Sequence, residues 1–203
     1  MSNFIIGLQK IFCYTIISFY NNNVQRSKQT TMAWSRGLRG SNLEETINLT
    51  NEVYKKKNLA IIQKIPTPIT PMKIDKEKKH ITLAYFDQKS TVDYIGIAQG
   101  VPICFDAKET SQKNFPLQNI HPHQIEFMEH FIQHQGLAFI LVYFSLYKEY
   151  YCLTFDTLKP YWNAAQNGTG RKSIPYADFD KDLLIPQQGI YINYLETIAK
   201  LLE

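Results

Sequence analysis

"STVDYIGIAQGVPICFDAKET", residues 90–110, decides how the rest of this chain is read. It splits into two β-type runs around Gln99-Gly100, a turn dipeptide between apolar residues. In an antiparallel hairpin, paired positions share a constant index sum. A turn centred on Gln99-Gly100 sets Asp93 opposite Asp106. A turn one residue longer sets Asp93 opposite Ala107 or Lys108. Side chains alternate faces along a strand, so Asp106 and Lys108 share a face. Two carboxylates and one ammonium therefore converge at the open end of the hairpin, beside the apolar run "VPICF".

Like carboxylates at that range repel, and one protonates unless a cation intervenes. A hard divalent ion such as Mg²⁺ resolves the conflict with oxygen ligands. A lysine beside it can hold an attacking water or offset charge on a phosphate transition state. The competing reading is a surface ion pair of little energetic weight. Spacing alone leaves both open. The buried character of "VPICF" weighs for the first, because an acidic pair ending such a strand calls for a use.

Composition sets outer limits. The 203 residues suit one domain, and 44% hydrophobic with 13% aromatic residues is enough for a core. A formal charge of +4 is compatible with a polyanionic partner without demonstrating one. Cys13, Cys104 and Cys152 lack metal-ligand spacing, and an odd number in apolar settings points to reduced thiols and a cytoplasmic protein. In "MSNFIIGLQKIFCYTIISFY" the clean apolar run from Ile11 to Tyr20 is too short to span a bilayer. No basic leader or small-residue cleavage site accompanies it. Residues 1–23 are expected to lie outside the fold, with no membrane partner, and residues 24–203 to form a single domain.

"SNLEETINLTNEVYKKKN" opens like a capping box, Ser41 with Glu44. Leu43, Ile47, Thr50 and Tyr54 recur at helical spacing, and Asn58 is a plausible stop. "LAIIQKI" is strand-like. "PTPITPMKIDKEKKH" holds three prolines and many charges, so it reads as an exposed, extended excursion over about 65–80. "ITLAYF" returns as a strand. "HPHQIEFMEHFIQHQG" reads as a helix with Ile125, Met128, Phe131 and Ile132 inward, rather than as a metal cluster of its histidines. "GLAFILVYF" and "EYYCLTF" are two further strands, and short elements close the chain. "GTGRKS" lacks the strand-to-helix context of a phosphate loop.

At this point several motifs line up. "RGSNLEETINLTN" (39–51), "IIQKIPTPI" (61–69), "AYFDQKSTVDYIG" (84–96), "FDAKET" (105–110), "FPLQNIHPHQIEFM" (115–128), "GLAFILV" (136–142) and "GRKSIPY" (170–176) occur in this order. Together they resemble the RecU-type Holliday junction resolvases of the PD-(D/E)XK nuclease fold, over roughly residues 24–200. The resemblance implies an α/β, restriction-endonuclease-like fold: a mixed central sheet flanked by helices, with a protruding stalk. It implies a homodimer that binds four-way junction DNA, cuts two opposed strands symmetrically with Mg²⁺ or Mn²⁺, and contacts the strand-exchange recombinase.

Carried over by position, Thr91, Asp93, Asp106 and Gln124 match the metal positions. Lys108 matches the lysine credited with stabilising the transition state. Glu44 matches an acidic residue near the same site. The excursion matches the stalk, whose Lys73, Lys76, Lys78 and Lys79 lean towards DNA. Arg39 falls in a DNA-contacting arm, and Arg171 and Lys172 are candidate phosphate contacts. Three departures stand out. Asp106 replaces the family's usual glutamate, the loop from Asp106 to Gln124 is one residue shorter, and an arginine is missing from "GIYINYLE". A non-cleaving, junction-binding modulator of the recombinase remains the alternative.

Overall fold

The computed structural model describes residues 43–86 and 91–202. The expectations placed on the amino-terminal tail, Arg39 and Ser41 lie outside the described residues. Helix α1 (Leu43–Lys56) forms where its periodicity predicts, burying Leu43, Ile47, Thr50, Asn51 and Tyr54. Glu44 and Glu45 in its first turn and Lys55 and Lys56 in its last complement the helix dipole. Asn58 leaves the helix in the left-handed region at φ 54°.

The chain then runs through β1 (Ala60–Lys64), β2 (Ile69–Asp75), β3 (His80–Phe86), β4 (Tyr94–Ala98), β5 (Val101–Thr110) and β6 (Asn114–Pro116) to helix α2 (Pro122–Gln133). Strands β7 (Leu137–Phe144) and β8 (Glu149–Thr154) lead to helix α3 (Phe155–Gln166). Short strands β9 (Ser173–Pro175), β10 (Leu184–Ile185), β11 (Gln187–Gln188) and β12 (Tyr191–Ile192) precede helix α4 (Tyr194–Ala199). Six strands form the central sheet in the order β1-β4-β5-β7-β8-β10. Its pairs are antiparallel except β5–β7, which is parallel. This is the mixed α/β sheet flanked by helices that the sequence led us to expect.

The middle of the sheet is covered on both faces, which is why "VPICF" reads as an uninterrupted apolar run. Ile103 and Phe105 enter a core closed by α1 and α4. Cys104 enters a second core closed by α2 and α3, and alternation sends Asp106 to that same face. On the first face, Phe105 stacks between Tyr94 and Phe139 at centroid distances of 4.8 and 4.9 Å. The carboxy-terminal stretch docks on α1: the Tyr54 hydroxyl donates to the Ile192 carbonyl at 3.2 Å, and Ile192 N donates to Thr50 Oγ1 at 3.2 Å.

The edge pair β1–β4 depends on a glycine. Gly96 lies opposite Ile62, and a Cβ there would stand 2.2 Å from the Ile61 carbonyl oxygen. Gly96→Ala is expected to cost about 1–3 kcal/mol through forced strand separation. Urea denaturation checks this, and an unchanged midpoint would mean that β1 pairs more loosely than the structure shows.

Among the described residues, strands β2 and β3 pair only with each other, in a ribbon separate from the central sheet, and most of their residues are exposed. The projection is therefore a β-ribbon over residues 69–86, longer than the expected 65–80 excursion, and "ITLAYF" is its return strand. Pro71 sits where the register shifts, so the ladder is already irregular where its N–H is missing. Helix α3 is not announced by the sequence. Pro160 stands inside it, and "EYYCLTF" reads as strand through Phe155. Thr154 instead caps the helix, its Oγ1 accepting from Thr157 N at 3.2 Å. No helix among the described residues is long and apolar enough to cross a membrane.

Candidate active site

The β4–β5 hairpin forms in the tighter of the two registers considered. Tyr94 pairs with Phe105 and Ala98 with Val101, so the next step outward sets Asp93 opposite Asp106. Gln99 (φ 46°) and Gly100 (φ 86°) both take the left-handed conformation that a two-residue turn of this kind requires. Gln99 Nε2 donates to the Asn58 carbonyl at 2.7 Å, tying the turn to the end of α1.

At the open end the two aspartates clasp each other's backbone. Asp93 N donates to Asp106 Oδ1 at 2.9 Å, and Ala107 N donates to Asp93 Oδ2 at 2.9 Å. Ile65 N donates to the Asp93 carbonyl at 2.8 Å, which anchors the approach to β4. One oxygen of each carboxylate is spent on this geometry. Asp106 Oδ2 is buried, accepts no well-directed hydrogen bond, and lies 2.6 Å from Lys108 Nζ. The Asp106 side chain is 0% exposed and that of Lys108 18%, so this is not the solvated ion pair of the competing reading.

Burial pushes the Asp106 carboxyl up to about 6; Lys108 opposes the rise and Asp93 adds to it. The native state without metal thus holds the Asp106 proton more tightly than the unfolded chain does. That contribution is fully present below about pH 4 and is lost as pH rises through about 6, a swing of about 3 kcal/mol. In metal-free protein, the stability gap between wild type and Asp106→Asn is expected to change across this window. Urea titrations at several pH values measure it, and a gap independent of pH would refute the assignment.

The other candidates fall into three groups. Thr91 is half-buried two residues before Asp93. Gln124 is buried on α2, and its Oε1 accepts from His121 N at 2.9 Å, capping the helix. A second lone pair on that oxygen stays available. Glu44 pairs with Lys64 of β1, while its carbonyl accepts from the Tyr94 hydroxyl at 3.3 Å. Sequence reasoning overlooked Lys64, which the β1–β4 register sets opposite Tyr94, on the sheet face covered by α1. Lys73 lies on β2, and Lys76, Lys78 and Lys79 crowd the exposed tip of the ribbon. There Asp75 Oδ1 accepts from Glu77 N and Lys78 N, both at 3.0 Å. Arg171 and Lys172 are exposed just ahead of β9.

Among the described residues, no group of three or more His, Cys, Asp or Glu side chains could by itself hold a metal ion. Asp93 and Asp106 are the acidic pair at the hairpin mouth. The fit to a hard cation rests on Asp106 Oδ2, a buried carboxylate oxygen lacking a directed hydrogen bond. Oxygen donors of this kind suit Mg²⁺ or Mn²⁺ and not a soft metal.

Residues 38–200 match the family model described as Recombination protein U. The chain belongs to the RecU family. It is 42% identical over 166 residues to the Holliday junction resolvase RecU of Bacillus cytotoxicus, covering 80% of this chain and 82% of that protein. To the Holliday junction resolvase RecU of Oceanobacillus iheyensis it is 42% identical over 186 residues, covering 89% and 93%. To that of Geobacillus kaustophilus it is 44% identical over 147 residues, covering 70% and 73%. Membership of the RecU family spans α1, the ribbon, the Asp93–Asp106 clasp and the helices behind it.

Proposed function

We propose that this RecU-family chain is a structure-specific endonuclease that resolves four-way DNA junctions in the cytoplasm by paired, symmetric cuts. The observation that carries the reading is the clasp of Asp93 and Asp106 with Lys108 on the same strand face. Two opposed cuts need two sites, which a two-fold homodimer supplies. Asp93 and Asp106, with Thr91 and Gln124, would hold a divalent cation, Mg²⁺ or Mn²⁺. When bound, that cation supplies positive charge at the scissile phosphate and acidifies water. The backbone donors from Asp93 and Ala107 fix the two carboxylates in place without side-chain freedom. Lys108 turns its ammonium towards the same point and offsets charge that develops on the phosphate oxygens. Glu44 serves the site from α1, its carboxylate steadied by Lys64.

The ribbon with Lys73, Lys76, Lys78 and Lys79 engages junction DNA, joined by Arg39, Arg171 and Lys172. Recognition of shape and backbone suits such a contact set better than reading of base edges. The strand-exchange recombinase is a further partner in this reading.

A second reading, a junction-binding protein that does not cut, draws on the Asp106–Lys108 ion pair: the shorter acid is already neutralised by its neighbour. Incubating the protein with a synthetic four-way junction and a linear duplex, each with Mg²⁺ or Mn²⁺, separates the two. Cleavage of the junction alone is expected. Binding without cleavage in either metal would leave the second reading standing.

A further inference from the structure

We propose that Tyr147 is a stacking platform for an unpaired nucleobase of the DNA beside the cut, an inference that rests on the junction reading above. The turn between β7 and β8 lies within "YFSLYKEYY" (143–151), unusually aromatic for a surface turn. The turn is pinned to the end of β5, since Ser145 N and Oγ donate to the Thr110 carbonyl at 2.9 and 3.2 Å. Tyr147 N donates to the Phe144 carbonyl at 3.1 Å, so the backbone closes with no help from the ring.

The ring is nevertheless supported from behind. Tyr147 stacks on Tyr176 with centroids 4.1 Å apart and planes 29° apart. The Tyr176 hydroxyl donates to Glu149 Oε2, which also accepts from the Tyr151 hydroxyl at 3.0 Å. Phe144, fully buried, meets the Tyr176 ring edge-on at 5.3 Å and 83°. A rigid aromatic stack thus ends in a ring that is 37% exposed.

Its position couples it to the site. In the parallel β5–β7 pair, Lys108 lies opposite Val142 and Thr110 opposite Phe144, so the turn leaves the sheet at the Asp106–Lys108 end, one strand away. Lys148 belongs to the turn, and extending the β6–β9 register by one step sets Lys113 opposite Tyr176. An exposed ring on a turn that carries Lys148, with Lys113 on a neighbouring strand, suits a single-stranded nucleic acid, whose bases stack while phosphates pair with cations. Paired duplex hides its base faces; a branch point is where bases are free to leave the stack.

The full chain is tested in EDTA, so that binding is read without cleavage. Tyr147→Ala is expected to weaken four-way junction binding about tenfold and to leave linear duplex binding unchanged. Tyr147→Phe should keep wild-type affinity. The added fluorescence of Tyr147→Trp should be quenched by the junction and by oligothymidylate, and not by duplex. Unchanged junction binding by Tyr147→Ala, equal losses on junction and duplex, or an unquenched tryptophan would each overturn the proposal. Quenching by oligothymidylate with no preference of the wild type for junction over duplex would keep the platform and remove the junction reading instead.

Discussion

Asp93→Asn is expected to lower junction cleavage by at least about 10³-fold, the scale of losing a principal electrostatic element of a catalytic site, while junction binding stays within about threefold of wild type. The carboxamide oxygen can still accept from Ala107 N, so one half of the clasp survives. The other half uses the main-chain N–H of residue 93 and is untouched by the substitution. What disappears is the negative charge, and with it the proposed hold on a cation. Asp93→Ala differs, because it removes the acceptor as well and leaves Ala107 N without its partner. Cleavage at saturating Mg²⁺ and gel-shift titration in EDTA measure the two quantities. If Asp93→Asn loses binding as well as cleavage, Asp93 is structural and the cation assignment fails.

The second large effect concerns the ribbon. Ile69 and Phe86 pair at its base, so their Cα atoms lie about 5 Å apart, and a Gly-Ser link can replace residues 70–85 without moving the central sheet. The shortened protein is expected to fold with a thermal midpoint within a few degrees of wild type, because among the described residues β2 and β3 pair with no other strand. Junction affinity is expected to fall at least about tenfold. The dependence of log affinity on log salt should shrink by about 3 to 4 if Lys73, Lys76, Lys78 and Lys79 each neutralise a phosphate. Removing only residues 70–79 would strand β3 with Leu83, Tyr85 and Phe86 exposed and unpaired, and aggregation would obscure the result. A shortened protein that binds junctions normally at all salt concentrations would remove the ribbon from recognition. One that fails to fold would place it in the core.

Parts of the site were legible because their geometry is local. Asp93 and Asp106 are brought together by a two-residue turn, so strand alternation and a constant index sum bring them to within one residue of pairing, and the turn length decides the rest. Lys108 follows from the same alternation. The ribbon's length was less legible, since prolines mark where a strand is irregular and not where its partner ends. Helix α3 escaped because an internal proline outweighs the apolar periodicity of Phe155, Leu158 and Trp162 when no tertiary packing is considered.

By itself, the sequence determined the β4–β5 hairpin, narrowed its register to two and gathered the charges at its mouth, since neighbours in the chain meet under short-range steric rules. Tertiary structure decided how those charges behave. Asp106 is fully buried because β5 lies between two helix-covered faces, and that burial, which no local pattern encodes, raises its carboxyl and sets Oδ2 against Lys108. Tertiary structure likewise paired Glu44 with Lys64 and set Tyr147 on Tyr176, contacts between residues 20 and 29 positions apart along the chain. Such meetings depend on how the sheet closes, and closure is settled by the summed burial of the whole core.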